Sequence, residues 1–199
     1  DIDRLKPNDV IVIRSHGVSE NVLSILEEKG LTVVNATCPF VTNIQKKVKK
    51  YSEAGYHIVI LGDEKHPEVV GINGWCSNNA TITKDGNIGI DLPDKVCAVA
   101  QTTEKKKNWD NTINNLKDVR ELLSFNTICA ATDVRQKSTF DLSKNVDAMI
   151  VIGGKNSSNT TKLYQIAKEN CEHTIHIENI KDLPKDFIND DIKKIGVTA

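Results

Sequence analysis

Short runs of β-branched apolar residues alternate with amphipathic helical segments along the whole sequence, and this alternation limits the possible folds more than any other feature. Residues 10–13, 31–35 and 57–61 have the composition of strands. Apolar residues at helical spacing follow the first two of these strands, at 19–29 and 39–54. Because strands that alternate with helices pair in parallel through crossovers, we predict an α/β fold with ligands at the carboxyl ends of its strands.

The same alternation continues to the end of the sequence and suggests a division into modules. Further strands are predicted at residues 81–83, 96–100, 127–129, 148–152, 174–177 and 195–197. Further helices are predicted at residues 104–120, 133–143 and 158–169, with a loop around residues 66–68. We expect residues 1–38 to be the C-terminal part of an incomplete first α/β module, 39–128 a second module, and 129–199 a truncated third.

Charge and composition exclude several classes of protein. The chain has 26 basic and 27 acidic residues, so its formal net charge is −1 and no basic stripe is available to bind nucleic acid. The longest apolar run, residues 148–152, is far shorter than the roughly 18 residues that span a bilayer, and the polar first ten residues predict no signal peptide. Five widely spaced cysteines favour free thiols or metal ligands in a reducing cytoplasm over a disulfide scaffold.

The predicted turns after the strands carry many reactive side chains. They read Ser15-His16-Gly17, Thr37-Cys38-Pro39, His66-Pro67-Glu68, Gln101-Thr102-Thr103, Cys129-Ala130-Ala131-Thr132 and Gly153-Gly154-Lys155-Asn156-Ser157-Ser158-Asn159. Turns at the carboxyl ends of parallel strands gather at one edge of a sheet. The pattern therefore favours a ligand site built from several of these turns.

Two cysteines occupy comparable positions in these turns. Pro39 suits the first position of a helix, so Cys38 is the predicted N-cap, where helix amides favour a thiolate. Cys129 also follows a predicted strand and precedes a helix. The two are too far apart in sequence for a local zinc finger, so only the tertiary fold can make both of them metal ligands. A pair of buried, inert cysteines is the alternative, and the other three cysteines are interpreted as structural.

Two further turns indicate an anionic ligand and proton transfer. The segment Lys155 to Asn159 opens a helix with amide and hydroxyl groups after two glycines, which suits a phosphate or diphosphate, although an ordinary helix cap is the alternative. A glutamate in a dry pocket can deliver a proton, and Glu68 has Thr102 as a candidate relay or orienting group. His16 suits an anionic ligand, whereas a loop histidine such as His66 usually faces solvent.

Six motifs then occur in a fixed order along essentially the entire chain. They are S-H-G-V at 15–18, A-T-C-P at 36–39, H-P-E-V at 66–69, Q-T-T at 101–103, C-x-A-T at 129–132 and K-N-S-S-N at 155–159. This set resembles the 4-hydroxy-3-methylbut-2-enyl diphosphate reductases, the last enzymes of non-mevalonate isoprenoid biosynthesis. The resemblance implies three α/β modules in a trefoil-like arrangement around a central 4Fe–4S cluster.

The resemblance also implies a role for each matching residue. Cys38 and Cys129 match two of three cluster ligands, and the third cysteine is expected outside this segment. Glu68 matches the proton-delivering acid and Thr102 a threonine beside the substrate. The residues that match contacts to the allylic diphosphate are His16, His66, Ser157, Ser158 and Asn159.

The implied reaction is reductive removal of an allylic hydroxyl, giving isopentenyl and dimethylallyl diphosphate. Ferredoxin or flavodoxin would supply the electrons. With two of three thiolates, the segment by itself is expected to assemble the cluster poorly and to be inactive. Two other functions remain open: a hydrolase with one metal ion held by Cys38, Cys129 and His66, and a non-catalytic diphosphate-binding module.

Overall fold

The computed structural model describes residues 2–199, in which strands and helices alternate as the sequence predicts. The strands are β1 (Val10–Ile13), β2 (Thr32–Asn35), β3 (His57–Leu61), β4 (Thr81–Thr83), β5 (Lys95–Ala100), β6 (Glu121–Phe125), β7 (Ala148–Ile152), β8 (Thr174–Ile177) and β9 (Ile195–Thr198). The helices are α1 (Glu20–Glu28), α2 (Pro39–Glu53), α3 (Pro67–Asn73), α4 (Lys106–Asn115), α5 (Ala130–Ser143) and α6 (Ser158–Asn170). None of these helices combines the length and the apolar surface needed to cross a bilayer.

The strands form three sheets, and every pairing among the described residues is parallel. β1 pairs with β2, the second sheet has the order β4-β3-β5-β6, and the third has the order β8-β7-β9. A parallel pair cannot be closed by a tight hairpin, so helices or long loops connect the strands. The predicted α/β class with parallel sheets is confirmed.

The chain divides into two compact units. The first unit contains the residues up to Thr102 together with Lys106–Thr127, and the second contains Thr103–Lys105 together with Ile128–Ala199. Three consecutive residues thus belong to the second unit although the strand before them and the helix after them belong to the first. The division of the sequence into three modules remains a prediction.

In the first unit, α2 packs on the four-stranded sheet through the predicted apolar stripe. Val41, Ile44 and Val48 are buried, and Tyr51 is half-buried against the same core. Their spacing of three or four residues keeps them on one helix face. The sheet contributes side chains of β3 and β5 to this core. Packing against α2 therefore fixes the two strands that end at the candidate site.

In the second unit, β7 is buried on both faces. Met149 and Val151 pack with Leu163 and Ala167 of α6. The alternate residues Ala148 and Ile150 face a separate core around Phe187. Successive side chains of a strand point to opposite faces, so one short strand can serve two cores. A central parallel strand of this kind fixes the position at which the following turn begins.

Three sequence predictions are corrected. The predicted strand at 127–129 is wrong, because the strand is β6 at Glu121–Phe125 and the predicted helix over 104–120 ends at Asn115. Thr127 instead hydrogen-bonds β5 through its side chain, accepting from the Ala100 N–H at 2.8 Å. The predicted loop around residues 66–68 is the start of α3, which Pro67 opens and His66 caps.

Candidate functional site

A buried carboxyl group is held by one threonine in the first unit. Glu68 lies in the first turn of α3 and is 3% exposed. Its Oε1 accepts a hydrogen bond from the Thr102 N–H at 2.7 Å, and its Oε2 accepts one from the Thr102 hydroxyl at 2.7 Å. We call these two residues the acid pair. Because both oxygens are engaged, the carboxyl group has one fixed orientation.

The pairing of β3 with β5 brings the two halves of the acid pair together. Leu61 lies opposite Ala100, and the Gln101 N–H donates to the Leu61 carbonyl at 2.7 Å just beyond the last pair. Gly62 follows β3 at a very close approach, since a Cβ there would lie 2.7 Å from Val69 and 2.9 Å from Gln101. A glycine is therefore required for α3 to begin close enough to β5 for Glu68 to reach Thr102.

Two histidines lie beside this region. The rings of His16 and His66 are perpendicular, with centroids 5.1 Å apart. His66 caps α3, because its Nδ1 accepts a hydrogen bond from the Glu68 N–H at 3.2 Å. A neutral His66 therefore carries its proton on Nε2. The Nδ1 atom of His16 is buried and has no hydrogen-bond partner among residues 2–199. Such an atom suits a ligand that supplies the missing partner.

Sequence analysis did not identify the residues that fix the turn containing His16. The indole N–H of Trp75 and the side-chain amide of Gln45 both donate to the Val18 carbonyl, at 2.9 and 3.3 Å. The same turn receives a backbone hydrogen bond from the Cys38 N–H to the Ser15 carbonyl at 3.0 Å. These contacts join residues far apart in sequence and have no local motif that could have revealed them.

Cys38 and Cys129 are the N-caps of α2 and α5, as the sequence predicts for Cys38. Neither side chain makes a capping hydrogen bond, both are half-buried, and both are free thiols. Cys97 differs, because burial within β5 raises the pKa of its thiol to about 12. The chemistry of the two capping thiols therefore fits metal ligation, and that of Cys97 does not.

The turn after β7 is the second candidate ligand site, and we call residues 153–159 the anion loop. Gly153 has φ 150°, and a Cβ there would lie 2.6 Å from Thr160 Oγ1, so only glycine suits the position. The Gly153 carbonyl lies 2.9 Å from His176 Nε2, and the Lys155 N–H donates to Glu178 at 2.7 Å. His176 and Glu178 of this second unit are also support residues that sequence analysis missed.

The three predicted ligand contacts of the anion loop have different surroundings. Ser157 is the N-cap of α6, accepting from the Thr160 N–H at 3.3 Å and from the Thr160 hydroxyl at 3.0 Å. Ser158 pairs with the Thr103 hydroxyl at 2.8 Å. Asn159 has a buried Oδ1 with no partner among the described residues. The ordinary-cap interpretation is thus correct for Ser157, and it leaves Asn159 unexplained.

These features define a class: a parallel α/β protein in which a buried acid, a histidine pair, capping thiols and an anion loop follow successive strands. The family described as LytB protein matches residues 1–199, and the chain belongs to that family. The family resemblance predicted from the six motifs is therefore confirmed.

The relatives and solved structures carry one activity in their names. The chain is 60% identical over 202 residues to the 4-hydroxy-3-methylbut-2-enyl diphosphate reductase of Clostridium acetobutylicum, covering 100% of this chain and 32% of that protein. It is 57% identical over 201 residues to the reductase of the same name from Clostridium perfringens, covering 100% of this chain and 71% of that protein. The chain thus spans about a third of the first relative and less than three quarters of the second.

Two solved structures match nearly the whole chain. One is a structure of (E)-4-hydroxy-3-methyl-but-2-enyl diphosphate reductase, with TM-score 0.63 and 36% identity, covering 99% of this chain and 72% of that one. The other is the E-1-hydroxy-2-methyl-but-2-enyl-4-diphosphate reductase from Plasmodium falciparum, with TM-score 0.92 and 25% identity, covering 100% of this chain and 64% of that one.

Proposed function

We propose that this chain is the part of a 4-hydroxy-3-methylbut-2-enyl diphosphate reductase that carries its proton donor and much of its ligand site. The reaction breaks the allylic C–O bond of the substrate. Two electrons and two protons enter, and the hydroxyl leaves as water, giving isopentenyl or dimethylallyl diphosphate. Membership of the LytB family supports the assignment, and the acid pair is the single structural observation that carries it.

Glu68 is the proton donor in this proposal. Glu68 is buried and both of its oxygens accept hydrogen bonds from Thr102, so the acid is oriented before the substrate arrives. Thr102 keeps the carboxyl group in one orientation and can pass its own hydroxyl proton to a leaving oxygen as Glu68 replaces it. Geometry fixed before the substrate binds is what proton transfer needs.

In this proposal the family resemblance assigns the diphosphate group to His16, His66 and the anion loop. A diphosphate supplies acceptors for the buried Nδ1 of His16 and for the Nε2–H of His66. Ser157 accepts two hydrogen bonds internally, so its own proton is directed outward. The amide group of Asn159 completes the set, since rotation of that group presents its N–H donors to a phosphate oxygen. The free N–H groups at the start of α6 add to the attraction.

Cys38 and Cys129 are the iron–sulfur ligands in this proposal. Both are half-buried free thiols at helix N-termini, and neither makes a capping hydrogen bond. Within residues 2–199 no group of three or more His, Cys, Asp or Glu side chains could hold a metal ion. The third thiolate of this proposal is the one that the family resemblance puts outside this segment. When bound, a 4Fe–4S cluster supplies electrons and a Lewis-acidic iron for the substrate hydroxyl.

The electron donor in this proposal is a ferredoxin or a flavodoxin, and the compartment is the cytoplasm. All five cysteines are free thiols, which a reducing compartment preserves. The single-metal hydrolase is not favoured, because the chain belongs to the LytB family and its relatives are named as reductases. A non-catalytic diphosphate-binding module remains as an outcome of the test below.

The test replaces the proposed proton donor in the full-length protein. Glu68→Gln retains size and hydrogen bonding but removes the transferable proton, so turnover should fall by roughly 100-fold or more while the Kd of the substrate changes little. Glu64→Gln is the matched control, because Glu64 is exposed in the same turn and should leave turnover unchanged. Unchanged turnover in Glu68→Gln, or binding without any turnover in the wild-type protein, contradicts the proposal.

A further inference from the structure

Residues 103–105 form a short strap that is bound within the second unit. The strap follows Thr102 directly and precedes α4, yet its own contacts lie with α5 and α6. The side-chain amide of Gln136, on α5, donates to the carbonyls of Thr103 and Glu104 at 3.4 and 3.2 Å. Two consecutive backbone carbonyls are therefore held by one buried side chain.

Each strap residue also contacts a residue of α6. Thr103 Oγ1 lies 2.8 Å from Ser158 Oγ, Glu104 forms an ion pair with Lys162, and Lys105 Nζ lies 3.6 Å from Glu169. Residues four apart lie on the same face of a helix, so Ser158 and Lys162 present adjacent partners to adjacent strap residues. The strap thus follows one face of α6 from its first turn.

The ion pair fixes the register of this contact. The Glu104 and Lys162 side chains are 4% and 14% exposed, so both charges are largely removed from water. A buried charge is costly without its partner, and a shift of the strap along α6 would separate the two. The neighbouring Thr103 hydroxyl is consequently held opposite Ser158.

We propose that Thr103 is a positioning residue for diphosphate recognition: its hydroxyl donates to Ser158 Oγ and directs the Ser158 proton toward the bound diphosphate. A hydroxyl that accepts one hydrogen bond has a preferred direction for the one it donates. This inference rests on the proposed function, because it assumes that the anion loop binds the diphosphate.

The test is a double-mutant cycle in the full-length protein with Thr103→Val, Ser158→Ala and the double variant. The readouts are KM and kcat for the allylic diphosphate and the Kd of inorganic diphosphate. Thr103→Val should raise KM and Kd by roughly 3- to 10-fold and leave kcat within about 2-fold, because the diphosphate end is remote from the reacting hydroxyl. In the Ser158→Ala background the same change should have less than about 2-fold effect.

Two further variants separate positioning from a structural role. Thr103→Ser retains the hydroxyl, so it should have the KM and Kd of the wild-type protein even where its melting temperature differs. Thr103→Ala removes the hydroxyl without adding a methyl group, so it replaces Thr103→Val in the cycle if that variant does not fold. Lys162→Met should raise KM in the same direction, since it frees the strap to shift.

The outcomes distinguish this inference from the proposed function. Equal effects of Thr103→Val in the wild-type and Ser158→Ala backgrounds overturn the positioning role and leave diphosphate binding by Ser158 intact. A KM that Thr103→Ser does not restore also overturns it. A wild-type protein that binds neither the allylic nor the inorganic diphosphate overturns the proposed function, and the positioning role with it.

Discussion

At the acid pair both oxygens of Glu68 receive hydrogen bonds from Thr102, whereas in the anion loop Asn159 keeps a buried oxygen to which no described residue donates a hydrogen bond. The first region is complete without a ligand, and the second is not. The difference follows from the two tasks that we propose. A proton donor must be oriented before the substrate arrives, while a binding group gains most when its partner is the ligand itself.

The largest expected effect comes from opening the acid pair. Thr102→Val removes one hydrogen bond to a buried carboxyl group, so the free energy of unfolding should fall by about 2 kcal/mol. Turnover should fall by roughly 10- to 100-fold because the acid loses its fixed orientation. Urea unfolding and initial rates measure the two effects in the full-length protein. Thr102→Ser is the control, and equal behaviour of Val and Ser at this position would show that the hydroxyl is not needed.

A second prediction compares two glycines, one in each region. Gly62→Ala forces a methyl group against Val69 and Gln101, so it should lower the free energy of unfolding by about 1–3 kcal/mol. Gly154→Ala should stay within about 0.5 kcal/mol of wild type, because the nearest atom to its Cβ is 3.8 Å away. Thermal or urea unfolding of both variants gives the comparison. Equal losses at the two positions would mean that the surroundings of Gly62 are no more tightly packed than those of Gly154.

No loss of stability is expected at Asn159. Asn159→Ala removes a buried oxygen that has no hydrogen-bond partner among residues 2–199, so the free energy of unfolding should be unchanged or rise by up to about 1 kcal/mol. The Kd of inorganic diphosphate should rise by roughly 10-fold, because a donor to the anion is lost. Calorimetric titration and urea unfolding provide the measurements. A clear loss of stability together with unchanged binding would assign Asn159 to the fold instead.

The strands, most helices and the turns between them could be predicted from the sequence, because each depends on local spacing of apolar residues. The buried stripe of α2 is an example, with Val41, Ile44 and Val48 at helical intervals. The short helix α3 was missed because seven residues are too few for a clear helical period. Strand β6 was misplaced because the run Thr-Ile-Cys at 127–129 has strand composition but lies beyond the true strand.

The candidate site was only partly predictable, for a related reason. The sequence indicates which residues follow the strands, and the hypothesis that Thr102 orients Glu68 agrees with the observed hydrogen bonds. The sequence does not reveal the residues that support the site. The hydrogen bond from Trp75 to Val18 and the ion pair between Lys162 and Glu104 each join residues more than fifty positions apart. Such contacts depend on the packing of whole helices and leave no short motif.

The hydrogen bond from the Cys38 N–H to the Ser15 carbonyl has a consequence for damage to the protein. Oxidation of an accessible thiol adds oxygen atoms and charge at the same residue. Any displacement of that residue is transmitted through one hydrogen bond to the turn that carries His16. Under the roles proposed above for Cys38 and His16, peroxide that attacks Cys38 would lower diphosphate affinity and cluster retention together, so the two losses should follow the same time course.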